Sequence, residues 1–170
     1  MYARPLIDSL DFARNGQQIN GEVPVAGLPR LLDMLEDSQG LLSYTVRGGV
    51  DKYGIPLLDV NITGTCRLRC QRCLNGMEYP IQHVARLLLR DQAGLDALDD
   101  EEEEFDSVLA ESQLDVLDLL EQEILLSLPI APRHELGGCQ ATDEENVTKA
   151  GNPLKEERNP FAVLAKLKRN

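Results

Sequence analysis

Large aromatic side chains are scarce in this chain of 170 residues. Tryptophan is absent, and there are only 4 tyrosines and 3 phenylalanines. Aliphatic residues must therefore fill the core, and a nucleic-acid surface built mainly on base stacking would have few members. The length fits one domain of ordinary size.

Long apolar runs are also missing. Uninterrupted stretches such as Leu87–Leu89 and Ile124–Leu126 are far too short to cross a bilayer. Near the N-terminus, Asp8 and Asp11 interrupt the segment where a signal peptide needs an apolar run. We therefore expect a cytosolic protein that does not enter a membrane. Its 4 cysteines are then reduced thiols or metal ligands.

Catalytic motifs are not found. The chain contains no GxGxxG, GxxxxGK[ST] or GxSxG sequence. His83 lies in an apolar segment, which is typical of a packed imidazole, and His134 has no Ser or Cys at nucleophile spacing. The carboxylates of Asp99–Glu104 form a solvated run rather than an acid and base couple. We expect neither enzyme activity nor a small-molecule substrate.

Charge is present in excess of one sign, and it is unevenly placed. The net charge is −12, yet residues 91–145 hold 18 Asp and Glu against the single Arg133, a local charge of −17. The remainder of the chain carries +5, of which residues 146–170 contribute +4. Such a distribution suits a partner that is part basic protein and part polyanion.

Hydrophobic periodicity predicts an α+β fold. We expect a strand near 22–25, a helix near 28–37, and an antiparallel sheet over 41–90 with alternating apolar and polar residues. The segment 79–90 suits either a strand or a helix. The reversal signal Asn75-Gly76 favours a strand, which places the cysteines at the end of a hairpin.

The second half predicts one further long helix. Residues 113–128 carry an apolar stripe that Pro129 ends, and Ser112 with Asp115 resembles a capping box. Two or three helices should thus pack on the sheet in one domain over 1–145, which includes an acidic mobile loop at about 91–111. A polar linker and a short basic amphipathic segment should occupy 146–170.

The cysteines indicate a metal site. Cys70 and Cys73 form a CxxC pair, and His134 with Cys139 supplies a second pair, so that a Cys3His shell suited to zinc becomes available. In the plainer alternative, Cys70 and Cys73 are small residues of a tight hairpin and Cys139 is an ordinary thiol. A thioredoxin-like redox pair is disfavoured because CxxC there opens a helix within a βαβ unit.

Three arginines surround this pair. Arg67 and Arg69 share one face of the predicted strand, and Arg72 lies in the turn. The first two can bind a phosphate backbone. Three basic residues are few, however, and residue counts alone favour a solvated strand edge without a partner.

Three stretches resemble one family. They are "CQRCLNGMEYPI", "LLEQEILLSLPIAPRHELGGC" and "NPFAVLAKLKR", and together they are similar to the bacterial YceD family, the large ribosomal RNA subunit accumulation proteins. The resemblance covers nearly the whole chain, and Cys66 lies outside its pattern. The matching positions are Cys70, Arg72, Cys73, Glu123, Leu128, Pro129, His134, Cys139 and Asn159–Phe161.

The resemblance implies a non-enzymatic role in the synthesis, processing or stability of 23S ribosomal RNA, and so in assembly of the large subunit. The partner would be a 23S rRNA precursor or a large-subunit ribosomal protein. The expected contact residues are Arg67, Arg69, Arg72, Lys166, Lys168 and Arg169, because phosphate binding depends on Lys and Arg. The alternative is a zinc-binding adaptor that recruits a basic protein outside the ribosome pathway.

Overall fold

The computed structural model of the chain describes residues 4–97 and 105–139. Within these ranges the elements, in chain order, are β1 (Leu6–Ile7), α1 (Ser9–Arg14), β2 (Gln18–Pro24), a 3-10 turn (Val25–Gly27), α2 (Pro29–Leu32), β3 (Leu41–Val50), β4 (Pro56–Arg69), β5 (Gly76–Arg90), α3 (Gln92–Asp96), β6 (Asp106–Leu109), β7 (Leu114–Asp115) and α4 (Val116–Ser127). None of the helices in the described ranges has the length and apolar character that a bilayer crossing requires.

The main sheet has five strands in the order β2-β3-β4-β5-β6, and β1 pairs with β7 in a separate two-stranded sheet. The predicted α+β class is confirmed, as is the antiparallel pairing of the strands within 41–90. Strand β6 departs from that pattern, because it runs parallel to β5 with Leu87 opposite Asp106. The intervening residues 91–105 are long enough for the crossover that a parallel pair needs.

One face of the sheet carries the core, and the alternation of the sequence explains which face it is. On β3, Leu42, Tyr44 and Val46 are buried as predicted, and β4 continues this layer with Leu58, Val60 and Ile62. Helices α1 and α4 cover this face. Helix α4 contributes its predicted stripe of Leu117, Leu120, Ile124 and Leu128, all of which are buried.

The opposite face, called here the open face, is polar over most of its length. Because side chains alternate along a strand, it collects the residues between the core positions. Its polar and charged members include Arg47, Asp59, Asn61, Thr63, Thr65, Arg67, Arg69, Glu78 and Arg86.

The helix predicted near 28–37 is shorter than expected, since α2 ends at Leu32. Beyond it, Leu35 forms an isolated antiparallel bridge with Leu68, and the Glu36 amide donates to the Arg67 carbonyl at 2.8 Å. Strand β4 extends past the end of its neighbour β3 there, so its backbone needs other partners. Residues 35–36 supply them, and a helix over 33–37 is thereby excluded.

The predicted start and N-cap of the long helix were wrong in detail. Helix α4 is capped by Asp115 rather than Ser112: its carboxylate accepts from the amides of Leu117 and Asp118 at 2.9 and 3.2 Å. Residues 114–115 form a strand beside β1, so the helix begins at Val116, three residues later than predicted.

The predicted acidic loop at 91–111 is in part regular structure. Asp91 caps α3 by accepting from the Gly94 amide at 2.7 Å, and residues 106–109 form β6. The acidic residues Asp99–Glu104 and the predicted segment 146–170 lie outside the described residues, so the mobility of the loop and the domain boundary at 145 stay predictions.

Candidate metal centre

The loop between β4 and β5 holds the CxxC pair. It spans 70–75 and is closed by two backbone hydrogen bonds, from the Cys70 amide to the Asn75 carbonyl and from the Leu74 amide to the Cys70 carbonyl, each 2.9 Å long. Leu74 adopts a left-handed conformation with φ 61°, whereas Gly76 already belongs to β5. The hairpin is confirmed, and its reversal lies a few residues before the Asn75-Gly76 pair that predicted it.

The second ligand pair reaches this loop from the end of α4. After Pro129 the chain turns back, and the Pro132 carbonyl accepts from the Gln71 amide at 2.8 Å. A further turn, closed by the Gly138 amide donating to the Glu135 carbonyl at 2.9 Å, follows His134 and presents Cys139. The turns at Pro129 and at Gly137-Gly138 thus place the segment 129–139 against the hairpin.

The structure brings all four predicted ligands together. The sulfur atoms of Cys70, Cys73 and Cys139 and a ring nitrogen of His134 lie within 4.8 Å of one another. The Cys70 and Cys139 sulfurs are 3.7 Å apart, and His134 Nδ1 lies 3.4 Å from the Cys73 sulfur and 3.7 Å from the Cys139 sulfur. Cys66 is elsewhere, buried in the core with 1% exposure.

These distances can be compared with those of a tetrahedral metal shell. Metal–sulfur bonds of about 2.3 Å and metal–nitrogen bonds of about 2.0 Å separate two sulfurs by about 3.8 Å, and a sulfur from a nitrogen by about 3.5 Å. Three of the six separations in the cluster, 3.7, 3.4 and 3.7 Å, agree with these edges. The Cys3His group can therefore hold a metal ion once the remaining pairs, which lie within 4.8 Å, close to the same edges.

The local electrostatics favour thiolate at one position. Burial raises the pKa of the Cys70 thiol. The backbone N–H groups of Cys73, His134 and Arg72 lower it by more than burial raises it, so that the pKa is about 5. The Asn75 N–H lowers the pKa of Cys73, yet burial and the thiols of Cys139 and Cys70 outweigh it and raise that pKa. A cation would remove this competition between neighbouring thiols, since it stabilises every thiolate at once.

Arg72 belongs to this cluster rather than to a free basic surface. Its Nε donates to the Cys139 sulfur at 2.9 Å, and its Nη2 donates to the carbonyls of His134 and Glu135 at 3.1 and 3.3 Å. The guanidinium therefore both balances thiolate charge and fastens the returning segment.

Arg67 and Arg69 project from β4 onto the open face, as their spacing predicts. Arg67 pairs with Asp37 at 3.2 Å and Arg69 with Glu36 at 2.7 Å, and the two arginine side chains remain 53% and 54% exposed. The remaining predicted contact residues, Lys166, Lys168 and Arg169, lie outside the described residues.

The sequence did not predict that two carboxylates on α4 are buried and paired. Glu121 is buried, and its two oxygens accept from the Leu31 amide at 2.9 Å and Arg30 Nε at 3.1 Å. Glu123 is buried too, and pairs with His83 Nε2 at 3.0 Å. The sequence signal that could have indicated their burial was the position of both residues beside the apolar stripe of the helix.

The fold and the site define a small α+β protein whose β-hairpin tip is joined to the exit of its longest described helix by a Cys3His cluster. The profile of the family described as "Large ribosomal RNA subunit accumulation protein YceD" matches residues 58–168, a range that contains the hairpin, α4 and all four cluster residues. The chain belongs to the YceD family, as its motifs indicated.

A similar protein from Haemophilus influenzae is named "Large ribosomal RNA subunit accumulation protein YceD". It is 27% identical over 141 residues, which cover 81% of this chain and 78% of the relative. No solved structure matches the chain.

Proposed function

We propose that this chain is a non-enzymatic cytoplasmic factor in the synthesis, processing or stability of 23S ribosomal RNA, and so in assembly of the large ribosomal subunit. The observation that carries the proposal is the family match over 58–168, together with the name of the Haemophilus influenzae relative. In this role the protein acts by binding a precursor particle.

The proposed cofactor is a structural zinc ion held by Cys70, Cys73, His134 and Cys139. Three thiolates and one imidazole complete a tetrahedral shell and leave no position for a substrate, which is the arrangement of structural rather than catalytic zinc. Such an ion would fix the segment 129–139 on the hairpin, and thereby fix the end of β4 that carries Arg67 and Arg69.

Contact with the particle is proposed to use protein and RNA together. Exposed ion pairs are weak, so phosphate groups can displace Asp37 and Glu36 from Arg67 and Arg69. Lys166, Lys168 and Arg169 would add phosphate contacts. The carboxylate side chains of residues 91–145 repel phosphate and suit a basic ribosomal protein.

Sedimentation of a cell lysate tests this function. We expect the tagged full chain to migrate with large-subunit precursors at low salt, and cells without the protein to hold less 23S rRNA relative to 16S rRNA. The double variant Arg67→Glu with Arg69→Glu should migrate less with precursors, because both cations are reversed.

Migration wholly free of ribosomal material, with an unchanged ratio of the two rRNAs in the deletion strain, would overturn the proposal. That result would favour the zinc-binding adaptor, for which the metal cluster alone provides support.

A further inference from the structure

The open face ends, at the side remote from the metal centre, in a hollow that the proposed function does not use. Its volume is about 770 Å³, and cross-strand neighbours Leu57 and Leu88 lie at its floor. The turn after β3 forms one rim and Phe105 another.

Two exposed aromatic rings stand at this rim, and each has a cation beside it. Lys52 Nζ lies 4.9 Å from the centre of the Tyr53 ring, and the Arg86 guanidinium carbon lies 5.6 Å from the centre of the Phe105 ring. Tyr53 is 77% exposed and Phe105 38% exposed. In a chain with only 7 aromatic residues, two solvent-facing rings at one hollow are an unusual use of them.

The charge of the hollow is opposite to that of the whole chain. Of the described residues that line it, Arg47 and Lys52 make no ion pair. The Asp51 carboxylate is engaged in its own turn, where it accepts from the amides of Tyr53 and Ile55 at 2.8 and 2.7 Å. The lining carries the cations Arg47, Lys52, Arg86 and Arg90 against the carboxylates Asp51 and Asp59, an excess of two positive charges. Arg47 Nε also donates to Gln18 Oε1 at 3.1 Å, a neutral partner that leaves its charge in place.

The second carboxylate of the hollow is neutralised by a cation. Arg86 donates to the two oxygens of Asp59 at 2.7 and 3.2 Å while its guanidinium faces Phe105. This pair orients the guanidinium, and it cancels one charge of each sign.

We propose that this hollow binds single-stranded RNA, with bases stacked on Tyr53 and Phe105 and phosphates held by Arg47 and Lys52. Aromatic faces beside cations are the arrangement by which proteins hold unpaired nucleotides, because every base offers a stacking face and every linkage a negative charge. A duplex keeps its bases stacked on one another and would leave both rings unused. The choice of RNA over other single strands rests on the proposed function.

The open face also provides a path from the hollow to the proposed arginine contacts. Asp59 and Arg67 lie eight residues apart on β4, which at about 3.3 Å per residue is about 26 Å. Between them the face presents Asn61, Thr63 and Thr65, whose side chains hydrogen-bond to sugar and phosphate oxygens in many complexes. One extended strand of RNA can follow this face to both ends.

The test is binding of a fluorescently labelled 12-nucleotide oligouridylate to the purified full chain, followed by anisotropy over a range of salt. We expect Tyr53→Leu and Phe105→Leu each to weaken binding by about 10-fold, since one stack is lost while apolar bulk stays. Tyr53→Phe keeps the ring and should bind within about twofold of the unchanged protein. Tyr53 and Phe105 are both exposed, so folding should be preserved in all three variants.

A charge variant tests the phosphate contacts separately. Arg47→Gln with Lys52→Gln should lower the slope of log affinity against log salt by about 1.4, because each single-strand phosphate contact contributes about 0.7. Arg14→Gln is the matched control: this exposed cation lies on α1, on the covered side of the sheet, and its change should leave the slope unaltered.

The inference is overturned if the unchanged protein fails to bind the oligomer at low salt, or if both leucine variants bind as well as it does. It is also overturned if Arg14→Gln lowers the slope by about 0.7, half the change expected of the double variant, because net charge alone would then explain binding. Failure of the sedimentation test with RNA binding intact would remove the proposed function and leave the hollow's activity in place.

Discussion

Replacing one cluster residue tests the metal centre and what it holds in place. Cys73→Ser removes a thiolate while it preserves size, and Cys66→Ala is the matched control, because Cys66 lies in the core outside the cluster. Zinc binding in small structural sites is worth about 10–16 kcal/mol. Shared over four ligands, this gives about 2.5–4 kcal/mol for one thiolate, or about 10²- to 10³-fold in affinity.

The structure also indicates which part of the chain depends on the ion. The segment 130–139 buries few apolar side chains: Ile130 and Leu136 are 99% and 97% exposed. Apart from the cluster it is held by the Gln71–Pro132 hydrogen bond and the contacts of Arg72. These few bonds contribute about 2–3 kcal/mol, which is small beside the metal term.

Metal content of the purified protein and hydrogen exchange are the measurements. We expect zinc at one ion per chain in the unchanged protein and in Cys66→Ala, although the latter should lose about 1 kcal/mol of unfolding free energy to a cavity. Cys73→Ser should lose the metal in the presence of a mild chelator. The Gln71 and Gly138 amides, which are hydrogen-bonded in this region, should then exchange at least 100-fold faster, while α4 stays protected.

Retention of stoichiometric zinc by Cys73→Ser under the chelator would refute the ligand assignment. Unchanged exchange at Gln71 and Gly138 after metal loss would refute the stabilising role. Loss of zinc from Cys66→Ala, with the fold intact, would show that the cluster residues were wrongly chosen.

Three further predictions concern stability. Glu121→Ala should cost about 2–3 kcal/mol in chemical unfolding, because it leaves the buried Leu31 amide without its acceptor; Glu121→Gln keeps an acceptor and should cost clearly less, so equal losses would contradict this. Gly48→Ala should destabilise by about 1–3 kcal/mol, since the added carbon would lie 2.7 Å from Ala13 Cα of α1; Gly49→Ala, whose carbon would meet only Leu57 at 3.5 Å, is the control and should be tolerated. Burial raises the pKa of Asp115, but Arg4 and the Asp118 and Leu117 N–H groups lower it below 3.8. A depressed folded-state pKa stabilises above the unfolded value, so this stabilisation should fade as the pH falls below about 4; Asp115→Asn should show a shallower acid dependence, and an identical profile would refute the assignment.

The sheet was predictable from the sequence because β3 and most of β4 alternate, whereas β5, with Leu87, Leu88 and Leu89 all buried, was identified as a strand only by the reversal signal before it. Leu42, Tyr44 and Val46 identified the buried face of β3, and the same period continued through β4. The four-residue cluster was also predictable, since ligand chemistry restricts which Cys and His residues can cooperate.

The length of α2 was not predictable from local pattern. The leucines over 28–35 recur at helical spacing. Leu35 nevertheless forms a bridge with Leu68, because β4 extends beyond the end of β3 there. The unpaired backbone of β4, which is distant in sequence, needs these hydrogen bonds, and such tertiary hydrogen bonds override local helix propensity. The parallel pairing of β6 likewise depends on a long-range contact with β5.

Two buried carboxylates of α4 attach this helix to α2 and to β5. Glu121 fixes it to the start of α2, and Glu123 fixes it to His83 on β5. The exit of the helix carries His134 and Cys139 to the hairpin tip, so a bound metal ion would tie that tip to the same helix. The strands β4 and β5 present the arginine pair and much of the hollow that we propose to bind RNA. They would then be held at the tip by the metal ion and midway by the pair of His83 and Glu123.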